Sequence, residues 1–166
     1  MGEKKSRRVF PKSPKSILII VLLLGFAVLT TFTVMSDNSV HGLAVRFSYV
    51  TRFCNTTGTQ TVLTYLTHPV IVYSSNSLET TISHVTFTMS VGGTLIGSTA
   101  AGDASFGPGQ SYSYFLEFSN STLDPNSQPL NSQVVLTITA QVSAGFLSSR
   151  VTASDTESIH FSSQTC

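Results

Sequence analysis

Two cysteines, Cys54 and Cys166, are the residues of this chain whose types and positions most directly indicate chemistry. A bridge between them would tie the last residue to the end of the first predicted strand, across a loop of over a hundred residues. Chain-entropy arguments give such a ring about 4–5 kcal/mol of stabilisation. The alternatives are two independent thiols, or pairing of Cys166 between chains. No histidine spacing completes a two-cysteine metal site, so we predict an intramolecular disulfide and neither a metal nor a cofactor.

Two Asn-x-Thr sequences are candidate N-glycosylation sites, at Asn55 and Asn120. Both asparagines lie in predicted turns, which is where such acceptors are expected. Chance matches are common in a chain so rich in Ser and Thr. We predict both as glycosylation sites, with a glycan on Asn55 directly beside Cys54.

No catalytic set of residues is visible in the sequence. Four histidines are scattered, although His84 and His160 each fall on the solvent-facing phase of a predicted strand and could be neighbours on one sheet. No G-x-S-x-G turn occurs. The acidic residues of the loops are interpreted as solvated turn residues. We therefore predict that the chain is not an enzyme.

The elements that position these residues begin with a basic tail and an apolar segment. Six of the nine Lys and Arg residues lie within residues 1–15, and residues 17–35 carry no charge. A helix of this length spans roughly 28 Å at ~1.5 Å per residue, close to the hydrocarbon thickness of a bilayer. Because flanking basic residues stay on the cytoplasmic side, we predict a cytoplasmic tail (1–15), a transmembrane signal anchor (16–35) and an extracytoplasmic C-terminal part.

A cleaved secretory signal is the alternative to an anchor. Signals have an apolar core of about 7–15 residues followed closely by a small-x-small site. Here the core is longer, and the one candidate site, Gly42-Leu43-Ala44, lies well past its end. Residues 6–12 also resemble a twin-arginine export signal, with Pro11 in place of a leucine. Both alternatives leave the C-terminal part outside.

Residues 36–166 carry three Arg and seven Asp or Glu, and 42 of the 131 are Ser or Thr. A mildly acidic surface without a basic stripe argues against nucleic-acid binding. After a polar tether at 36–44, apolar residues alternate with polar ones between turn signals, as in Val85, Phe87, Met89 and Val91 before Gly92-Gly93. Other predicted inward sets are Val45, Phe47 and Tyr49; Tyr112, Tyr114, Leu116 and Phe118; and Ile159 with Phe161. We predict an all-β fold over 45–166, an antiparallel Ig-like or fibronectin-like sandwich of about seven strands.

The stretch from Leu66 to Phe118 resembles the type-2 late-embryogenesis-abundant domain, also called the water-stress and hypersensitive-response domain. The resemblance rests on the strand Val70–Tyr73, the "VGGTLIG" hairpin at 91–97 and the "FGPGQS" turn at 106–111. It departs from that family at Asn76, which Ser77 follows instead of the family's proline. The resemblance implies a small β-sandwich, with a short helix or helical turn, that is not an enzyme.

Three functions remain open on this sequence. The first is a non-catalytic, membrane-anchored extracytoplasmic module that contacts the lipid bilayer and other envelope or membrane proteins. The second is an accessory single-pass subunit of a larger membrane complex, in which Gly25 and Ala27 would let another helix approach closely. The third is an envelope hydrolase, which only the abundance of serine suggests.

Overall fold

The computed structural model describes residues 13–47, 49–57, 60–73, 78–123 and 130–161. One α-helix is followed by an antiparallel β-sandwich, which confirms the predicted fold class. The described residues form eleven strands rather than about seven, because several long passes of the chain are broken by kinks. The chain divides into two compact units, Met1–Val34 and Met35–Cys166.

Helix α1 covers Pro14–His41. Ser13 caps its first turn, since the backbone N–H of Ser16 donates to the Ser13 hydroxyl at 3.2 Å. Pro14 occupies the first helical position, where a missing N–H leaves no hydrogen bond unmade. The helix thus begins slightly before the predicted segment 16–35 and ends beyond it.

Residues 36–44 are not the polar tether that their composition predicts. Residues 36–41 continue α1, and the first strand begins at Leu43. The side chains of Ser36, Ser39 and Val40 are buried within the second unit. A helical turn places these three positions on one face, so a segment that is polar in composition still has a face that packs.

The strands of the sandwich are β1 (Leu43–Arg46), β2 (Val50–Thr57), β3 (Gln60–Thr67), β4 (Val70–Tyr73), β5 (Thr80–Val91), β6 (Thr94–Ala101), β7 (Ala104–Phe106), β8 (Ser111–Ser113), β9 (Leu116–Asn120), β10 (Asn131–Ala144) and β11 (Leu147–His160). The larger sheet has the order β11-β10-β5-β6, and β7 also pairs with β5. Two three-stranded ladders, β1-β4-β8 and β2-β3-β9, form the other side.

Three extended segments of the chain, which we call passes, form both ladders. Each pass is interrupted by a kink, and the three kinks lie side by side. β1 continues into β2, β3 into β4 and β8 into β9. Thr67 is paired with both Val50 and Leu116 on one side of the kink. On the other side, Val70 is paired with both Arg46 and Ser113. Pro69, which has no N–H to donate to a ladder, lies in the middle pass at the break.

The core contains the apolar set that alternation predicts on β5, together with a matching inward set on β10. Val85, Phe87, Met89 and Val91 are at most 2% exposed. The inward side chains of β10 from Val134 to Val142 are equally buried. His84 adopts a φ of +52° at a bulge opposite β10. This bulge shifts the phase of β5, so that Ile82 and Val85 are both buried although they are three positions apart.

The last strand is much longer than predicted. β11 pairs with β10 over its whole length, from Leu147 to His160, after a tight turn in which Gly145 has a φ of +60°. Apolar alternation does not predict this strand, because the small or polar residues Ser149, Ala153 and Asp155 occupy positions that face inward. The predicted pair is nevertheless placed inward, since Phe161 is buried and Ile159 packs against the core.

Candidate functional site

A cleft of about 510 Å³ opens on the sandwich beside the strands β1 and β11. Each is the edge strand of its own sheet. The side chains that line the cleft are Arg46, Phe47, His68, Val70, Asp155 and Glu157. It combines a guanidinium, an imidazole and two carboxylates with the apolar side chains of Phe47 and Val70, so its lining is more polar than that of a typical small-molecule pocket.

Asp155 holds the two edge strands together at the cleft. Its Oδ2 accepts a hydrogen bond from the backbone N–H of Phe47 at 3.0 Å, and its Oδ1 accepts one from the backbone N–H of Thr156 at 3.0 Å. An acid on the inward phase of a strand needs such partners, because burying an unpaired carboxylate is costly. Asp155 is therefore a fixed acceptor with a structural role.

Arg46 and Glu157 are the exposed charges of the cleft. Neither makes an ion pair within the described part of the chain. Exposed side chains of this kind are free to change rotamer at little cost. The guanidinium supplies donors and the carboxylate supplies acceptors, so both signs of polar group are available to a ligand.

Three rings continue the cleft across the kink, and we call Tyr49, His68 and Phe115 the aromatic cluster. The ring centroids of Tyr49 and His68 are 5.6 Å apart, and those of His68 and Phe115 are 4.5 Å apart at an interplanar angle of 71°. Tyr49 is 48% exposed and Phe115 60% exposed. His68 belongs both to the cluster and to the cleft.

The kink places the aromatic cluster on the outside of the sheet. Each ring comes from one of the three broken passes, at the residues between β1 and β2, β3 and β4, and β8 and β9. Thr67 donates its hydroxyl to the carbonyl of Tyr49 at 3.0 Å, and the N–H of Tyr114 donates to the carbonyl of Pro69 at 3.0 Å. The prediction that Tyr49 points inward with Val45 and Phe47 is wrong, because alternation does not continue through the break.

The run from Tyr112 to Phe118 is interrupted in the same way. Tyr114, Leu116 and Phe118 are buried as predicted, but Tyr112 is 42% exposed and lies on the separate strand β8. Burial raises the pKa of Tyr114 to about 12, with smaller contributions from Tyr112 and Asp103. The Tyr114 hydroxyl donates to the carbonyl of Gly102 at 2.7 Å.

Cys54 lies on β2 opposite Leu63 and packs against the core. It is not a free thiol. Cys166 lies outside the described residues, so the bridge between the two stays a prediction. Beside Cys54 on the same strand, the guanidinium of Arg52 is 4.7 Å from the ring centre of Phe161, the residue that follows β11.

The two predicted glycosylation sites lie in different settings. The prediction that Asn55 lies in a turn is wrong, because Asn55 is in β2 opposite Val62; its side chain lies outside the described part of the structure. Asn120 ends β9, where its Oδ1 accepts hydrogen bonds from the N–H and the hydroxyl of Thr122. Its Nδ2 donates to the carbonyl of Ile96 at 3.1 Å. Ile96 is the extra residue at the β6 bulge, so this amide links the two sides of the sandwich. Modification at both sites stays a prediction.

His84 and His160 are exposed as predicted, but they are not neighbours. His160 is paired with Asn131 at one end of β10, and its Nδ1 lies 2.6 Å from Asn131 Oδ1. His84 lies opposite the other half of β10, and its backbone N–H donates to Asp103 at 3.2 Å. The described residues contain no group of three or more His, Cys, Asp or Glu that could hold a metal ion.

Sequence reasoning missed the aromatic cluster and the cleft. Their residues come from β1, β11 and the three kinks, which are far apart in sequence. The one available signal was Phe115, a large apolar residue on the solvent-facing phase between Tyr114 and Leu116.

Comparison with known proteins assigns no function to the cleft or to the aromatic cluster. No family model matches the chain, and no curated protein matches it. A solved structure of a protein from Archaeoglobus fulgidus aligns with 69% of this chain and 97% of its own, at 7% identity and a TM-score of 0.40. A likeness this low carries no argument about function.

Proposed function

We propose that this chain is a membrane-anchored extracytoplasmic β-sandwich that acts as a non-catalytic structural and interaction module of the cell envelope. The observation that carries this proposal is the surface of α1. Among the described residues it is the one helix long and apolar enough to cross a membrane, and none of its most apolar window is buried. Its large apolar side chains from Ile17 to Val34 are 37–69% exposed. A helix that is apolar on all sides requires an apolar environment.

The polar atoms of this helix are suited to the same environment. The hydroxyl of Thr31 donates to the carbonyl of Ala27 at 2.8 Å, and that of Thr33 donates to the carbonyl of Leu29 at 2.8 Å. Polar groups in hydrocarbon must find partners within the protein. These threonines meet that requirement without a second helix.

The orientation follows from the charges on either side of the helix. Six basic residues and Glu3 precede the apolar segment 17–35, whereas residues 36–166 carry a net charge of −4 with His neutral. The excess of Lys and Arg retains the tail in the cytoplasm, where each basic residue near an anionic leaflet contributes about 1 kcal/mol.

The interaction role is supported by the cleft and the aromatic cluster. Tyr, Phe and Arg are enriched at recognition surfaces, and Tyr49, Phe115 and Arg46 are all exposed. The resemblance to the type-2 late-embryogenesis-abundant domain is in keeping with a sandwich that has no catalytic role.

Extraction of membranes with alkaline carbonate tests the anchor. The unmodified chain should stay in the membrane pellet, and Leu22→Arg/Leu29→Arg should release it, since each charge at the centre of a membrane helix costs about 2.5–3.5 kcal/mol. The matched control Leu22→Ala/Leu29→Ala should stay in the pellet. Recovery of a soluble mature protein that lacks the apolar segment would refute the anchor and establish a cleaved signal.

A further inference from the structure

We infer that the cleft and the aromatic cluster together form a binding site for a neutral carbohydrate chain. This inference rests on the proposed function, because it requires the sandwich to face the outside of the membrane, where extracellular carbohydrate is accessible. It names the class of ligand for a surface that the proposed function treats only as a place of interaction.

The aromatic cluster supplies the apolar half of sugar recognition. A pyranose ring has faces made of C–H groups, and these stack on the faces of aromatic side chains. Tyr49 and Phe115 present exposed rings on either side of His68, with consecutive centroids 5.6 Å and 4.5 Å apart. The cluster is therefore a local aromatic surface, and aromatic side chains are enriched at recognition surfaces.

The cleft supplies the polar half. Each sugar hydroxyl both donates and accepts hydrogen bonds, so a sugar site needs donors and acceptors side by side. Arg46 offers only donors and Glu157 only acceptors, and neither is engaged in an ion pair within the described residues. Asp155 is already fixed by the N–H groups of Phe47 and Thr156, so it adds an oriented acceptor without having to be ordered on binding.

The charges of the cleft favour a neutral ligand over an ionic one. Its lining contains one guanidinium, one imidazole and two carboxylates, so it offers both cationic and anionic groups. A phosphate or nucleic acid would approach the two carboxylates, and an organic cation would approach Arg46. A neutral polar chain with apolar faces avoids both repulsions and uses every group that lines the site.

The shape of the surface favours a chain rather than a single sugar. The cleft lies beside two edge strands, and His68 lies in both the cleft wall and the aromatic cluster. A ligand that fills the cleft and extends past His68 therefore reaches the ring of Phe115. Successive sugar units would alternate between hydrogen bonding in the cleft and stacking on the cluster.

Fluorescence of a single introduced indole tests this inference. The chain contains no Trp, so Phe115→Trp gives the full-length protein one indole in the cluster and keeps an aromatic face. The protein is held in lipid nanodiscs, because detergents with sugar headgroups would compete. The probes are short linear oligosaccharides of glucose, mannose, galactose and N-acetylglucosamine, with choline and a lysine-rich peptide as ionic probes. Calorimetry of the unmodified chain with the same probes guards against a folding defect of the variant.

We expect at least one oligosaccharide to change the emission of Phe115→Trp in a saturable manner and to bind the unmodified chain. Adding Tyr49→Ala or Glu157→Ala should weaken that affinity at least about tenfold, or about 1.4 kcal/mol. The control is Phe146→Trp, since Phe146 is similarly exposed at 55%. It lies nine residues along from Asp155, roughly 30 Å away at about 3.3 Å per residue, and its emission should not change.

The inference is overturned if no oligosaccharide gives a response at up to about 10 mM, a concentration that detects millimolar affinity. It is equally overturned if only choline or the basic peptide binds, or if Phe146→Trp responds as strongly as Phe115→Trp. A chain that remains in the carbonate pellet but binds no sugar refutes the sugar site alone. A chain released by carbonate refutes the proposed function.

Discussion

The carboxylate of Asp155 accepts a hydrogen bond from the backbone N–H of Phe47, with 3.0 Å between the two atoms and a separation of 108 positions in sequence. The bond joins the residue directly after the first strand of the sandwich to the last strand, and the backbones of these two strands are not paired in a ladder. It also forms one wall of the cleft, so the stability of the domain and the shape of the site depend on the same contact.

We expect Asp155→Ala to lower the free energy of unfolding by about 1–3 kcal/mol, because the Phe47 N–H would lose its partner in a partly buried position. Asp155→Asn should cost less, since it retains a side-chain oxygen. Glu157→Ala, in an exposed neighbour on the same strand, serves as the control and should change stability by no more than about 0.5 kcal/mol. Urea unfolding followed by circular dichroism measures all three. Equal effects of Asp155→Ala and Glu157→Ala would show that the bond does not stabilise the fold.

We expect mass spectrometry without reductant to find the Cys54 and Cys166 peptides joined. A bridge would restrain the unfolded chain, with a typical stabilisation of about 2–4 kcal/mol. Cys54→Ser and Cys166→Ser should therefore lower the melting temperature by similar amounts, and the double variant should add little. Rapid alkylation of both thiols in acid-quenched protein without reductant would rule out the bridge.

Asn120 has a structural role that is separable from any glycan it carries. Asn120→Ala removes the donor to the Ile96 carbonyl and also the acceptor of the Thr122 N–H and hydroxyl, and we expect a loss of about 1 kcal/mol in the free energy of unfolding of the unglycosylated protein. Ser121→Ala leaves those contacts and the sequon in place, so its stability should match that of the unmodified chain. If Asn120→Ala is as stable as Ser121→Ala, the link between the two sides of the sandwich contributes nothing.

The buried hydroxyl of Tyr114 should make the fold sensitive to strong alkali. The native pKa of Tyr114 is about 12, above the ordinary value near 10 that an unfolded chain retains. The contribution of Tyr114 to stability is therefore complete below pH 10 and is lost as the pH rises from 10 to 12. Tyr114→Phe should flatten this part of the pH profile of stability. A tyrosine absorbance titration in which all five tyrosines ionise together near pH 10 would contradict the shift.

Strands in which apolar and polar residues alternate regularly could be predicted from sequence. Strands in which this alternation is interrupted could not. The inward residues of β5 and β10 are regular enough that their burial follows from the pleat alone. The length of β11 could not be predicted, because Asp155 faces inward on this strand. An acidic residue is accommodated there because its carboxylate accepts a hydrogen bond from the Phe47 N–H. The continuation of α1 through residues 36–41 could not be predicted from their polar composition, because three small or apolar side chains are enough to pack one face of a helical turn.

The site was harder to predict than the fold for a related reason. The aromatic cluster exists because three passes kink at one level, and sequence does not show that Tyr49, His68 and Phe115 lie level with one another. Pro69 marked only the middle kink. The register between the passes, which is a property of the assembled sheet, brings the rings together.

Labelling of single cysteines with a membrane-impermeant maleimide tests the central claim, a cytoplasmic tail and an outer sandwich joined by α1. In a Cys54→Ser/Cys166→Ser background, Ser154→Cys adds a thiol at an exposed position of β11, and Ser6→Cys adds one in the basic tail. On intact cells we expect Ser154→Cys to be labelled, and Ser6→Cys to be labelled only after lysis. Labelling of Ser6→Cys from outside, with Ser154→Cys protected until lysis, would contradict the account.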